Sequence, residues 1–316
     1  MPYFEFDIEN AQCLYLDTDG GTDIRVSIDG EKETLYTGCV GMVNIGNDKI
    51  NTKKHTVRVY CGDEKNVFTL KGVYSDCCSV ISKTKSGKTS VQFISDCVTE
   101  SGFYDYPTIV SKALGYNFSV IARSGIALED GSGFVKLNDG ENGTIGMQTA
   151  YGYLRTIGAR NLKEKYDTAV EWNFENDKYD KIFVNLGAND TYSAFVNEAK
   201  TKKFIESYKN FVNMLKSKHK NAAIYIIKPF SPISKQGEMH ILNRSAAFDK
   251  IADEFKNDKT VRYIDTDEWS GEITFLSGSI FPDRNGHEII AGKLTEYLQT
   301  NSTYENMRYL RWLKKS

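Results

Sequence analysis

The feature that most constrains the fold is a change in hydrophobic pattern near residue 88. Before it, short runs such as "CLYLDTDG" and "HTVRVYCG" alternate apolar and polar residues between Gly, Asp and Asn turns. A period of two is typical of antiparallel strands that bury one face. We therefore predict a jelly-roll-like β-sandwich over residues 1–88, joined to the rest of the chain by the polar segment "SKTKSGKTS".

After residue 88, apolar strands alternate with amphipathic helices. The predicted strands are "SVQFISD", "NFSVIARSG", "KIFVNLGAND", "AAIYIIKPF" and "VRYID", and segments such as "FIESYKNFVNMLKSKH" between them have helical spacing. This rhythm predicts an α/β domain over residues 89–300, with a five-stranded, doubly wound parallel sheet between two helical layers. The basic, aromatic stretch 301–316 is predicted to be a C-terminal tail.

Composition argues against several classes of function. Lys and Arg total 40 against 42 Asp and Glu, so the net charge of −2 provides no field for a nucleic acid backbone. No apolar run reaches the roughly 18 residues of a membrane span, and the N-terminus does not resemble an export leader. We expect no membrane partner and a cytoplasmic location, or secretion if a leader has been removed.

The six cysteines form no C-x-x-C pair, and no histidine stands at zinc-ligand spacing from them. This pattern favours reduced thiols and predicts no metal site. Nothing else in the sequence points to a cofactor, and none is predicted.

Three polar segments follow predicted strands, where the loops of a parallel sheet form a crevice. They are "FISDCVT", "ARSGIAL" and "NLGAND", and a fourth segment, "FPDRNGHEIIAGKL", lies near the C-terminus. In this order they resemble the four sequence blocks of SGNH or GDSL-type hydrolases, a family of esterases and acyl-transfer enzymes. The preceding β-domain makes the chain similar to carbohydrate esterase family 2, over residues 1 to about 300.

This resemblance implies a role for each matching position. Cys97 occupies the place of the nucleophilic serine, and Gly125 and Asn189 match the two donors of the oxyanion hole. In the last block, Phe281 stands where the catalytic histidine belongs, and Gly278 stands where the aspartate would be. The resemblance therefore implies a retained oxyanion hole without its base.

The missing base matters more than the change from serine to cysteine. A thiol with a pKa near 8.5 is partly ionised at neutral pH and is intrinsically nucleophilic, so Cys97 alone would be tolerated. Phe281, however, would desolvate the thiolate and has no proton to give to the departing alcohol. Loss of the base in a serine hydrolase lowers turnover on the order of a million-fold. The sequence predicts a catalytically impaired pseudo-enzyme that binds a carbohydrate or assists a partner enzyme in polysaccharide modification.

Two alternatives remain open. One is an active esterase or acyltransferase that uses Cys97 with an unrecognised base, either His240 or His287. The other is a protein-interaction module. Four further residues are predicted to be binding residues, namely Asp96, Asp190, His240 and Trp269. Four tyrosines fall in segments that could border the crevice, namely Tyr104, Tyr106, Tyr151 and Tyr153.

Overall fold

A computed structural model describes residues 3–61, 68–84, 87–96, 104–134, 144–155, 169–230, 239–277, 279 and 281–313. The chain divides into two compact units, one ending at Gly87 and one beginning at Lys88. The strands of the first unit are β1 (Tyr3–Glu9), β2 (Leu14–Ile28), β3 (Thr34–Asn44), β4 (His55–Cys61), β5 (Thr69–Ser75) and β6 (Val80–Ser82).

The strands of the first unit form an antiparallel sheet in the order β3-β2-β4-β1-β6, with β5 also paired to β2. Strand β2 changes partner along its length: its first part pairs with β5 and its last part pairs with β4. Gly20 and Gly21 separate the two parts with φ angles of 101° and 65°, which glycine adopts without strain. Apolar residues from both parts, including Leu16 and Val26, share one buried core. The predicted all-β domain is confirmed.

The second unit contains helices and parallel strands. Its strands are β7 (Ser90–Ser95), β8 (Asn117–Ala122), β9 (Tyr153–Arg155), β10 (Val170–Glu171), β11 (Lys181–Asn185), β12 (Ala223–Ile227) and β13 (Val261–Ile264). Its helices are α1 (Tyr106–Leu114), α2 (Met147–Ala150), α3 (Thr191–Ala194), α4 (Glu198–Lys218), α5 (Met239–Phe255) and α6 (Arg284–Leu313).

Five of these strands form a parallel sheet in the order β13-β12-β11-β7-β8. The order reverses between β7 and β11, which are neighbours in space but not in sequence, and such a switch point opens a crevice at the carboxyl ends of the strands. Strand interiors such as Phe93, Val184 and Ile226 are fully buried, as expected for a sheet covered on both faces. The predicted doubly wound domain is confirmed.

Helix α6 is longer than the sequence pattern indicated. It begins at Arg284 and runs to Leu313, so residues 301–313 of the predicted tail continue this helix. In the described part of the chain, no helix combines the length and the apolar character needed to cross a membrane.

Candidate functional site

The carboxylate of Asp96 joins the ends of two adjacent strands. Asp96 directly follows β7 and is buried. Its Oδ2 accepts hydrogen bonds from the backbone N–H groups of Gly187 (3.0 Å) and Ala188 (2.9 Å), with Asn189 N at 3.4 Å. These N–H groups belong to the turn after β11, where Gly187 has a φ of 117°. One buried carboxylate thus holds the glycine turn at the switch point of the sheet.

The side chain of Asn189 connects this turn to the segment after β8. Its Nδ2 lies 3.0 Å from the carbonyl oxygen of Ile126 and 3.4 Å from that of Asp96. Gly125, one residue before Ile126, has a φ of 80° and accepts a hydrogen bond from Phe134 N at 2.8 Å. The structure therefore brings Asp96, Gly125 and Asn189 together at the ends of three neighbouring strands. The Asn189 amide is within hydrogen-bond distance of protein carbonyls.

Asp190 forms a second buried carboxyl contact in the same place. Its two oxygens accept the Leu128 N–H at 3.0 and 3.2 Å, and its side chain is fully buried. Burial, together with the nearby carboxylates of Asp96 and Glu129, raises the pKa of Asp190 to about 8. This predicted site residue therefore acts as a buried support for the segment after β8 rather than as an exposed ligand.

The first turns of α1 and α6 lie against each other. The backbone N–H of Tyr106 donates to Nδ1 of His287 at 3.4 Å, and the two rings stack with centroids 6.1 Å apart. Nearby, the guanidinium of Arg284 lies 4.1 Å above the ring of Tyr104. Burial lowers the pKa of His287 to about 4, and only 2% of the residue is exposed. His287 is therefore a neutral packing residue between the two helices.

Phe281 lies in the short segment that leads into α6. Its backbone N–H donates to Ser279 Oγ at 3.0 Å, and its carbonyl accepts from Leu276 N at 3.0 Å. Two residues later, Asp283 Oδ1 accepts the Gly286 N–H at 2.8 Å, which satisfies a free donor in the first turn of α6. A Cβ on Gly286 would lie 2.1 Å from the Thr274 carbonyl oxygen, so this position requires glycine.

Several predicted residues are placed differently or lie outside the described part of the chain. Cys97, Gly278 and the side chain of His240 fall outside it, although the backbone of His240 belongs to the first turn of α5. Trp269 follows β13, which is separated from β11 by β12. The expectation that Tyr106 and Tyr151 border the crevice was wrong. They are 2% and 1% exposed, since both rings pack against other aromatic side chains.

Sequence reasoning missed Phe134. Its residue is 76% exposed, and its Cβ lies 3.2 Å from where a Cβ on Gly125 would be. Single exposed apolar residues are common on protein surfaces, so it is the position beside the candidate oxyanion glycine that makes Phe134 a candidate ligand contact. The only sequence signal was its position at the end of the glycine-rich stretch "GSGF".

Sequence reasoning also missed Lys228, which follows β12. Its side chain is 3% exposed, and Nζ lies 2.6 Å from Asp267 Oδ2, 3.3 Å from Asp249 Oδ1 and 3.5 Å from Asp265 Oδ1. The three aspartates come from α5 and from the segment after β13, and they raise the pKa of Lys228 against the effect of burial. Lys228 thus ties together three elements at the same end of the sheet.

Among the described residues, no group of three or more His, Cys, Asp and Glu side chains is arranged to hold a metal ion.

Comparison with known proteins shows which solved structures share this fold. No protein-family model and no curated protein sequence matches the chain. Solved structures do, and they include a family two carbohydrate esterase from Clostridium thermocellum in complex with cellohexaose, which has 16% identity, a TM-score of 0.68, and coverage of 96% of this chain and 93% of that one. A carbohydrate esterase family 2 enzyme with a carbohydrate-binding domain from Corynascus thermopiles (Myceliophthora fergusii) has 16% identity, a TM-score of 0.69 and 93% coverage of both chains.

A third similar structure is a salicylyl-acyltransferase from a tetracycline biosynthetic pathway, with 12% identity, a TM-score of 0.64, and coverage of 95% of this chain and 82% of that one. At these identities the similarity establishes the fold. The chain has an SGNH hydrolase fold that resembles family 2 carbohydrate esterases over nearly its whole length.

Proposed function

We propose that this chain uses a carbohydrate-esterase fold to bind a glycan without hydrolysing an ester. The proposed cleft is at the carboxyl ends of β7, β8 and β11, beside Gly125 and Asn189 and above the buried Asp96. The protein would then act as a glycan-binding accessory in polysaccharide modification. Hydrolysis or acyl transfer through Cys97 is the competing function.

The observation that carries the proposal is the state of His287. It contacts the first turn of α1, which follows Cys97 in sequence, but it is buried and its Nδ1 faces the Tyr106 N–H. A histidine with a pKa of about 4 is a weak base at neutral pH. The position that matches the family's base holds Phe281, which cannot accept a proton. Neither His287 nor Phe281 is therefore a suitable base for the thiol of Cys97.

The retained amide of Asn189 fits the same proposal. An oxyanion donor must direct its N–H towards the reacting carbonyl, whereas Nδ2 of Asn189 lies near the Ile126 and Asp96 carbonyl oxygens. These contacts give the residue a structural reason to be present in a protein without hydrolase activity. Its retention in the sequence does not require catalysis.

Phe134 is the best-supported contact for a sugar. Its ring is largely exposed and lies beside Gly125 at the end of β8. The apolar face of a pyranose packs well on an exposed aromatic ring, and polar groups nearby can bond its hydroxyls. The cellohexaose complex of the similar Clostridium thermocellum esterase supports a glucan as the first ligand to test.

The activity test compares the wild-type protein with Cys97→Ala on an activated aryl acetate. We expect the same rate for both, apart from acetylation of one thiol equivalent in the wild type. Sustained turnover that depends on Cys97 would replace the proposal with an active esterase. A His240→Ala variant of such an active protein would then test that residue as the base.

The binding test is a calorimetric titration with cellohexaose and with acetylated xylo-oligosaccharides. We expect Phe134→Ala to weaken binding roughly threefold to tenfold, in line with the energy of one aromatic contact. Tyr74→Ala is the matched control, because Tyr74 is an exposed aromatic on β5 of the first unit. Equal effects of the two substitutions, or no binding to any glycan, would favour the protein-interaction function.

A further inference from the structure

Two adjacent thiols are exposed in the first unit. Cys77 and Cys78 occupy the turn between β5 and β6, both are free and exposed, and their Sγ atoms lie 3.7 Å apart. The two sulfurs are thus in van der Waals contact. Such a pair is a vicinal dithiol: when one sulfur has reacted, the second sulfur is close enough to attack it.

The turn that carries the two thiols is held in place. Ser79 donates its backbone N–H and its hydroxyl to the Asp76 carbonyl, at 3.1 and 2.8 Å. The Asp76 carboxylate accepts the Gln12 N–H at 2.9 Å and the Ser75 hydroxyl at 3.0 Å. Because the residues on both sides of the pair are anchored, the two thiols stay side by side in the folded protein.

Two other thiols in this unit, those of Cys39 and Cys61, are chemically different. Cys39 and Cys61 are buried, and burial raises the pKa of both, for Cys61 to about 12. These two thiols remain protonated and inaccessible, so they are poor nucleophiles. Within the first unit, a thiol reagent in solution should therefore reach Cys77 and Cys78 before either of them.

We propose that Cys77 and Cys78 form a reversible oxidation site that reacts with small-molecule disulfides. One thiol loses its proton, and its sulfur attacks a disulfide RSSR, forming a mixed disulfide and releasing RSH. The neighbouring thiol loses its proton and attacks the bonded cysteine sulfur, releasing the second RSH. The two cysteines are oxidised to one intrachain disulfide, and one RSSR is reduced to two RSH.

Backbone geometry makes this disulfide easy to reduce. Adjacent Cα atoms are about 3.8 Å apart across a trans peptide, whereas unstrained disulfides need about 4.4 Å or more. The sulfurs must also approach from 3.7 Å to about 2.0 Å. Strained, exposed disulfides have more oxidising potentials and are the labile kind. The bond should therefore form under oxidised glutathione and reopen under excess reduced glutathione.

The test is mass spectrometry of the peptide containing both residues, after incubation of the folded protein with oxidised glutathione. A Cys97→Ser background removes the thiol predicted to lie in the cleft. We expect the peptide to lose two hydrogens and to regain them with excess reduced glutathione. The single variants Cys77→Ser and Cys78→Ser should instead retain one glutathionyl group.

Phenylarsine oxide provides an independent measurement, because it binds two neighbouring thiols with loss of one water. The protein with both cysteines should retain one arsenical in the presence of competing monothiol, and each single variant should lose it. The proposal is overturned if the peptide accumulates two glutathionyl groups, if it remains unmodified, or if arsenical retention does not depend on Cys77 and Cys78.

Discussion

Replacing Asp190 with asparagine should remove a pH dependence from the stability of the protein. The Asp190 side chain is fully buried and accepts the Leu128 N–H through both oxygens. Its pKa is raised from 3.8 to about 8, first by burial and then by the nearby Asp96 and Glu129 carboxylates. Asparagine has nearly the shape of the neutral acid, and its Oδ1 can accept the same hydrogen bond.

The sign of the effect follows from where the proton is bound. The folded protein keeps the Asp190 proton up to about pH 8, whereas the unfolded chain loses it near its ordinary pKa of 3.8. Between these values the folded state binds one more proton, so the free energy of unfolding falls as the pH rises. One proton corresponds to roughly 1 kcal/mol per pH unit, or several kcal/mol across the window. The stabilisation that the folded protein gains from the Asp190 proton is complete below about pH 4 and lost above about pH 8.

The assay is urea unfolding of the wild type and Asp190→Asn at several pH values between about 4 and 8. All other titrating groups are shared, so the difference between the two proteins isolates Asp190. The variant should match the wild type at the acid end and become more stable than it by several kcal/mol at the alkaline end. A difference that does not change with pH, or a wild type that gains on the variant as the pH rises, would refute a protonated Asp190.

Two further substitutions test contacts at the same end of the sheet. Gly187→Ala should lower the free energy of unfolding, measured with urea, by about 2–4 kcal/mol, because alanine is strained at a φ of 117° and its Cβ would lie 3.0 Å from the Phe248 ring. The control Gly115→Ala should lower it by only about 1–2 kcal/mol, because Gly115 has a φ of 66° but open space around it. Equal losses would argue against crowding at Gly187. Lys228→Met should cost about 1–3 kcal/mol and less at high salt, because it leaves three aspartates converging without their cation. The control Lys209→Met breaks an exposed pair with a glutamate and should cost less than Lys228→Met. A Lys228 loss that salt does not reduce would contradict the electrostatic explanation.

The sequence predicted the sheet well because its signals are local. Five apolar runs bounded by Gly, Asn and Asp residues became β7, β8, β11, β12 and β13. The same runs placed Asp96, Gly125 and Asn189 after adjacent strands, so their proximity followed from topology. The fold, and the proximity of these three residues at one edge of the sheet, were therefore predictable from the periodicity of the chain and its turn residues.

Burial and long-range partners were not predictable in the same way. Tyr106 and Tyr151 have the side chain expected at a sugar site, but sequence shows the residue type and not whether the ring faces solvent. Phe134 shows the opposite case, since nothing in the sequence marked it and its ring is exposed beside Gly125. Lys228 appeared as a single charge after a strand, and its three acidic partners come from elements that meet only in the folded protein.

The hydrogen bonds of Asp96 have a consequence for recognising enzymes by their motifs. Asp96 belongs to the first motif and Gly187, Ala188 and Asn189 to the third, and these residues bond directly to each other. The Asp96 carboxylate holds this turn and the Asn189 amide contacts two backbone carbonyls, so replacing either side chain would remove contacts that support the fold. Such residues can outlast an activity, so their presence in a sequence reports architecture. The more informative positions are those that resemble the nucleophile and the base of the esterases, which here hold Cys97 and Phe281.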